Sequence, residues 1–329
     1  MVDIAIIGAG GIARTHVNAL SRVDSARIVA VYDLYEEKAR ALAASCGAMA
    51  CTSPQDCIAR ADMVYVLTPP SRHREYAVAA LAAGRHVVCE KPLASSIEDA
   101  ETMVEASHKA GLKLMTAFNM RFRRGFGMLR DAARSGRLGR MLSFWSQRLG
   151  MGVGKGYNWR TDPDLLCGMV VESLSHDVDL IRWIAGEVID ARASTLASRE
   201  NLPGFDDNAN VVLTLADGST ALIHASWSSH LARNSRGIVG TRGTALVEGP
   251  GLWELREFHL KTEDMEYEAV TVINDAFDVS SYIAEDRHFV DCVEKNLQPS
   301  VTGEDGLQAL RISQAILTSH REQRVVSIR

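Results

Sequence analysis

The sequence predicts two successive folds: a doubly wound α/β domain over residues 1–120, and an α+β domain with a large, mostly antiparallel open sheet over residues 121–329. Three observations carry this. Ile4-Ala5-Ile6-Ile7 is a continuous apolar run that meets a glycine turn, Gly8-Ala9-Gly10-Gly11, and then a helical pattern. Strand-like and helix-like segments alternate through short connections to about residue 118, the signature of a parallel sheet covered by helices. Beyond Met120 that alternation stops and long strand candidates take over.

Taken in order, a second strand runs from Arg27 to Tyr32, a helix from Tyr35 to Cys46, a short strand near Ala48 and another strand from Met63 to Leu67. Thr68-Pro69-Pro70 stops that strand, and Ser71 is placed to cap a helix reaching Ala83 and ending at Gly84. His86 to Cys89 is the next strand, closed by Glu90-Lys91-Pro92; a helix over Ser96–Ala110 and a strand over Lys113–Ala117 complete six strands. The later strand candidates are Arg140–Leu149, Ile189–Ser198, Asn210–Leu215, Thr220–Ser228, Gly237–Gly240 and Thr244–Glu248, with Ala216-Asp217-Gly218-Ser219 as a hairpin turn. Helices are expected at Val170–Ala185, Ser281–Asn296 and Asp305–Ser319. The boundary near residue 120 carries no flexible linker, so a rigid junction is expected.

The composition, 47% hydrophobic and 23% charged, is that of a globular chain, and a net charge of −5 offers no basic footprint for nucleic acid. No apolar run approaches a membrane span, and the first strand starts within three residues, which leaves no room for a signal peptide; a cytoplasmic location is the expectation. The six cysteines show no C-x-x-C or paired ligand spacing, so no metal is expected.

The strand–glycine turn–helix order is the dinucleotide-binding fingerprint of a Rossmann fold. Gly8 allows the tight turn, Gly10 lets backbone approach a pyrophosphate, and Ala13 takes the third small position; Gly11 and Ile12 open the helix. A helix N-terminus presents unpaired N–H groups to phosphate. Asp33, about 20 residues beyond the glycines at the end of the second strand, is placed for a ribose 2′-hydroxyl, against the plainer reading of a solvated loop carboxylate. Thr68, Pro69, Glu90 and Lys91 stand at carboxyl ends of strands, on the rim where such folds bind ligands. Further on, Glu172, His176 and Asp179 are spaced four and three apart, and so share one face of a single helix, with Leu174, Val178, Ile181 and Ala185 opposite. Helix periodicity alone would put that polar face in water; Trp183, Leu180 and Ile184 beside it look more like a second interface. Three metal ligands from one helix would need partners that the sequence does not offer.

These stretches resemble the Gfo/Idh/MocA oxidoreductases over nearly the whole chain. The resemblance rests on the glycine turn, Glu90-Lys91-Pro92, Asn119-Met120-Arg121-Phe122, Trp159-Arg160-Thr161-Asp162-Pro163, His176-Asp177-Val178-Asp179 and the segment from Pro299 to Gly306. It implies a nicotinamide cofactor, NAD in preference to NADP given Asp33, and hydride transfer with a secondary alcohol of a sugar, polyol or similar small molecule. It implies Lys91, Glu172 and His176 as catalytic residues, with His176 as the base, Lys91 beside the developing alkoxide and Glu172 orienting the histidine or relaying its proton. Asn119, Arg121, Tyr157, Trp159 and Arg160 are the substrate-binding candidates, although Trp159 and Arg160 could equally be packing. Many family members carry aspartate where Glu172 stands, usually after three glycines, whereas this chain reads Leu166-Cys167-Gly168. The family also implies a homodimer or homotetramer built on the open sheet, and a Lys91–Pro92 bond of the cis kind. It includes glycosidases that use transient oxidation and regulators that bind nucleotide without turnover, and these are the alternative functions.

Overall fold

The computed structural model describes residues 1–152, 162, 167–199, 204–275 and 278–328. The chain begins β1 (Val2–Ile7), α1 (Gly11–Leu20), β2 (Ala26–Tyr32), α2 (Glu36–Cys46), β3 (Met49–Ala50), α3 (Pro54–Ala59), β4 (Met63–Val66), α4 (His73–Ala82), β5 (His86–Cys89), α5 (Ile97–Ala110) and β6 (Leu114–Thr116). It continues with α6 (Arg124–Arg134), β7 (Met141–Met151), α7 (Gly168–Glu172), α8 (Ser175–Ala185), β8 (Val188–Leu196), β9 (Asn208–Leu215), β10 (Thr220–Ser226), β11 (Ser228–Gly240), β12 (Gly243–Gly249), β13 (Leu255–Thr262) and β14 (Ala269–Asp275). The helices α9 (Ser280–Glu294) and α10 (Gly303–Glu322) and the short β15 (Val326–Ser327) close it.

Two compact units result: residues 1–122 with 279–310, and residues 123–278 with 311–329. A single cut at residue 120 would have placed 279–310 in the second part. Instead α9 packs on α1, with the buried Phe289, Val290 and Cys292 among its apolar residues.

In the first unit six parallel strands run in the order β3-β2-β1-β4-β5-β6, the doubly wound arrangement with its switch point between β1 and β4. The central strands are apolar throughout because helices cover both faces, and Ile4, Ile6, Ile7, Val64, Val66 and Val88 are fully buried. Ser96 caps α5 by accepting the Asp99 N–H at 3.2 Å, and Gly111 ends that helix in the left-handed region. Ser71 does not cap α4. It lies inside a 3-10 turn, Pro70–Arg72, because Pro70 starts a helical turn one residue earlier; α4 follows from His73, and Gly84 sits just past its end at φ 79°.

In the second unit the described residues form a nine-stranded sheet ordered β14-β13-β12-β11-β7-β10-β9-β8-β15, antiparallel except for the β7–β10 pair. Asp217 shapes the β9–β10 hairpin by accepting the Ser219 N–H at 2.9 Å, with Gly218 at φ 84°. The buried face of β7 carries Phe144, Ser146 and Arg148. Its other face belongs to a cross-strand row of Gly237, Trp145, Leu222, Val212 and Arg192. Gly237 is required there, since a Cβ would stand 2.2 Å from the Trp145 ring. The helix α6 and the strands β13 and β14 had no counterpart in the sequence reading. They are tied together by Arg123, which donates to Asp275 at 3.1 Å and to the Trp253 carbonyl at 2.6 Å, and by Gly125, which packs against Ile273 and Leu255.

Candidate functional site

In the first unit β1 delivers the chain to Gly8 at φ 100°, where a Cβ would stand 2.6 Å from the Leu67 carbonyl oxygen; only glycine fits this turn. Gly10 and Gly11 are exposed, and a Cβ on either would meet nothing, so open space lies over the start of α1. No side chain caps that N-terminus and no acidic residue sits in its first turn, which leaves its N–H groups and dipole facing outward. Ile12 is half-buried and Ala13 fully buried at the helix–sheet contact. At the end of β2 the half-buried Asp33 accepts N–H bonds from Ala9 at 2.7 Å and Tyr35 at 2.9 Å, which lock its carboxylate beside the glycine turn.

The loops after β4 and β5 complete the rim. Thr68 and Pro69 are half-buried, and Thr68 Oγ1 has no hydrogen-bond partner among the described residues. His73, which the sequence reading passed over, ties the two loops together: Nε2 is 2.8 Å from the Thr68 carbonyl oxygen and Nδ1 is 3.0 Å from that of Pro92. The Lys91–Pro92 peptide is cis, as expected. Lys91 is half-buried, and its N–H donates to Glu90 Oε2 at 2.8 Å. A glycine cradle at a helix N-terminus, a ribose-side carboxylate and an orphaned hydroxyl on one rim suit a dinucleotide: phosphates at α1, a ribose at Asp33 and the reactive end toward Thr68 and Lys91.

Asn119 and Arg121 occupy a 3-10 turn, Asn119–Phe122, in the same unit. Asn119 Nδ2 donates to Ser281 at 3.3 Å. The Arg121 guanidinium is paired with both oxygens of Asp305, at 3.0 and 3.2 Å, and with the Ser300 carbonyl at 3.0 Å. With a side chain only 6% exposed, Arg121 serves the fold of this unit. Tyr157, Trp159 and Arg160 lie outside the described residues.

The second unit holds the other cluster, and its helix is not the continuous one expected. The chain breaks between α7 and α8, where two carbonyls accept side-chain donors. Ser175 Oγ donates to the Glu172 carbonyl at 2.9 Å, and Arg148 donates to that of Ser173 at 3.0 Å. Glu172 therefore closes one helix and His176 opens the next. The polar stripe is not solvated: Glu172 is 3%, His176 6% and Asp179 0% exposed, while Leu174, Val178 and Ile181 are buried as anticipated and Ala185, expected with them, is half-buried at the end of α8.

Three groups that the sequence reading did not single out hold this segment. Asp177 takes Arg236 on Oδ1 at 2.7 Å, Arg148 on Oδ2 at 2.8 Å and the Ser146 hydroxyl at 2.7 Å. Burial opposes its charge, but the two arginines outweigh it and hold the carboxyl below the usual range; burial in turn pulls Arg148 down to about 10. Trp253 stacks on Arg148 at 4.3 Å and meets the His176 ring edge-on at 6.4 Å. Asp206 accepts the Val170 N–H at 2.7 Å in the first turn of α7, and burial pushes its carboxyl up to about 7. A Cβ on Gly168, at φ 74°, would stand 1.9 Å from Asp206, so this glycine makes room for the cap. Arginine in the alternating register of a buried strand face, as at Arg148, is the one signal that could have pointed to the charged trio.

Residues 2–118 match the family model described as the oxidoreductase family with an NAD-binding Rossmann fold (GFO/IDH/MocA), and residues 126–246 match that of the GFO/IDH/MocA C-terminal domain. A myo-inositol 2-dehydrogenase of Thermotoga maritima is 28% identical over 99% of this chain and 98% of its own length. An inositol 2-dehydrogenase 2 of Saccharopolyspora erythraea is 31% identical over 76% of this chain and 74% of its own. Among solved structures, the WlbA dehydrogenase from Bordetella pertussis in complex with NADH and UDP-GlcNAcA superimposes with a TM-score of 0.87 at 25% identity, covering 100% of this chain and 99% of that one.

Proposed function

The chain belongs to the GFO/IDH/MocA oxidoreductase family, and from that premise we propose that it is an NAD-dependent dehydrogenase acting on a secondary alcohol of a sugar or polyol. The observation that carries this reading is the open glycine cradle at the N-terminus of α1, with Asp33 locked beside it, in a chain whose relatives over nearly its full length include inositol dehydrogenases.

NAD, when bound, supplies the acceptor for the hydride. The work left to the protein is electrostatic. Oxidation of an alcohol releases a proton as well as a hydride, so a base must receive the hydroxyl proton and a positive charge must face the oxygen as it becomes alkoxide. His176 is the base, held at the first turn of α8 by the Asp177 trio and the Trp253 ring. Lys91 is the positive charge, and Glu172 orients His176. Asn119, Tyr157, Trp159 and Arg160 are the substrate contacts retained in this reading; Arg121 is left out because Asp305 engages it. The cradle, the Lys91 turn and Asn119 belong to the unit of residues 1–122 with 279–310, and the other unit carries the remaining substrate contacts and self-association. The row of Trp145, Leu222, Val212 and Arg192 lies on the sheet face away from α6 and α8, with Leu222 46% and Val212 42% exposed, which suits a homodimer or homotetramer joined through that face.

The test is a panel of cyclic polyols, aldoses and glycosides incubated with NAD, read by absorbance and product analysis. Stoichiometric NADH and a ketone product support the dehydrogenase. Glycoside cleavage without net NADH would move the assignment to a glycosidase.

A further inference from the structure

His16 projects from the second turn of α1 into the interior of the first unit, where its side chain is 0% exposed. Nδ1 lies 2.9 Å from Asp286 Oδ1 and 3.1 Å from Oδ2, and Nε2 lies 3.5 Å from Glu90 Oε1. The Tyr65 hydroxyl donates to the same Asp286 oxygen at 3.1 Å, and the rings of Tyr65 and Tyr282 meet the imidazole edge-on at 5.3 and 5.4 Å. Glu285 is also fully buried, within 4.8 Å of the His16 and Asp286 polar atoms. On the far side, Glu90 Oε2 accepts the N–H of Lys91. One path of contacts therefore runs from α9 through α1 to the turn that carries Lys91.

The protonation of this path follows from donor and acceptor inventory. An ionised carboxylate can only accept, and a neutral imidazole donates from one nitrogen alone. Asp286 stands at hydrogen-bond distance from Nδ1 and Glu90 at ion-pair distance from Nε2, so a proton on each nitrogen faces a carboxylate. Burial raises the Asp286 carboxyl, and His16 and Tyr65 work against that rise. Burial works against a charge on His16, but Asp286 and Glu90 outweigh it and hold its pKa well above the usual histidine range. Burial likewise opposes ionised Glu90, and His16 together with Lys91 outweighs it and keeps that carboxyl below its usual range. The other titratable groups facing the cluster are Tyr65, whose phenol burial and Asp286 push up and so keep neutral, Glu285 on α9, and His73 across the loop from Glu90.

We propose that the His16 imidazolium is a positioning residue of the reaction: it bridges Asp286 to Glu90, fixes the carboxylate that grips the Lys91 backbone, and so sets where the Lys91 ammonium stands. The proposal rests on the reading of Lys91 as the charge facing the alkoxide. Without the cation, Glu90 keeps Lys91 but loses its link to Asp286, and the Lys91 turn loses that anchor while the glycine cradle is untouched.

The experiment combines nitrogen-15 NMR of the histidine rings in the wild-type protein with kinetics of His16→Gln, which keeps a donor and removes the charge. The expected wild-type result is a His16 ring protonated on both nitrogens across the neutral range; a neutral ring at pH 7 overturns the proposal and needs no variant to fold. His16→Gln is expected to lower kcat by roughly 10- to 100-fold, the scale of a misplaced catalytic group, with the NAD dissociation constant within about twofold of wild type. Adding Asp286→Asn, which removes one uncompensated charge, is expected to recover part of that kcat. An unchanged kcat in folded His16→Gln, or a loss confined to NAD affinity or melting temperature, overturns the proposal. The Lys91 ammonium resonance, expected to shift in His16→Gln, is read without substrate. Wild-type protein inactive on every alcohol would thus overturn the functional reading alone, whereas an unmoved Lys91 resonance would overturn this one.

Discussion

Arg236 donates to Asp177 at 2.7 Å with both side chains essentially out of solvent, and the second oxygen of the same carboxylate takes Arg148. These residues come from β11, α8 and β7, so the trio joins three elements at the residue next to His176 in the chain. Two guanidinium groups depend on one carboxylate. Removing it strands both charges in the interior, a change that typically costs about 3–5 kcal/mol. Asp177→Ala should therefore lower unfolding free energy by roughly that much in urea titration. A loss below about 1 kcal/mol would mean water reaches the arginines.

Asp206 makes stability depend on pH in the opposite sense to a salt-bridged carboxylate. Its folded pKa, about 7, lies above the unfolded value of about 3.9. Between those limits the native state binds more protons than the unfolded chain. Its contribution is thus fully present below about pH 4 and is lost as pH rises through about 7. At about 1.4 kcal/mol per unit, the swing is up to about 4 kcal/mol. Asp206→Asn should flatten this part of the profile, measured as urea midpoints from pH 5 to 8. Equal slopes in both proteins would show that Asp206 is ionised throughout.

Cofactor choice follows from Asp33. Its carboxylate is fixed by Ala9 and Tyr35 where an added 2′-phosphate would lie, and Arg40 is occupied by Glu36 at 2.5 Å. Like charges at such range repel by kilocalories. NAD should be preferred over NADP by at least roughly tenfold in kcat/KM. Comparable values would point to Lys38, which stands 4.1 Å over the Tyr35 ring and was not weighed from the sequence, as a counter-charge.

The open row on the nine-stranded sheet predicts self-association. Light scattering at micromolar concentration should give a multiple of the 35.9 kDa chain mass, and Leu222→Glu, which puts a charge amid that row, should shift it toward one chain. A monomeric wild type would refute the interface.

The parallel sheet was legible because each strand ends at its own punctuation, such as Gly8, Thr68-Pro69 or Glu90-Lys91-Pro92. Strand β13 was not: Arg256, Glu257 and Lys261 within it, and Glu263, Glu266 and Glu268 in the turn that follows, make that stretch read as a loop. The helix break at Ser173 was hidden for another reason. The Arg148 contact at the break comes from a distant strand, and periodicity reports only neighbours. His16 with Asp286 is a further case, a contact across 270 positions. The residue types at Lys91, Glu172 and His176 were visible in the sequence, but what holds them was not.

The central claim, that His176 receives the alcohol proton in an NAD-dependent dehydrogenase, is tested most directly by the rate of NADH formation by His176→Ala and wild type on the polyol or sugar found in the panel. A general base contributes roughly 10²–10⁴-fold, so kcat should fall by that factor while NAD affinity changes little. Turnover of His176→Ala close to wild type would contradict the account.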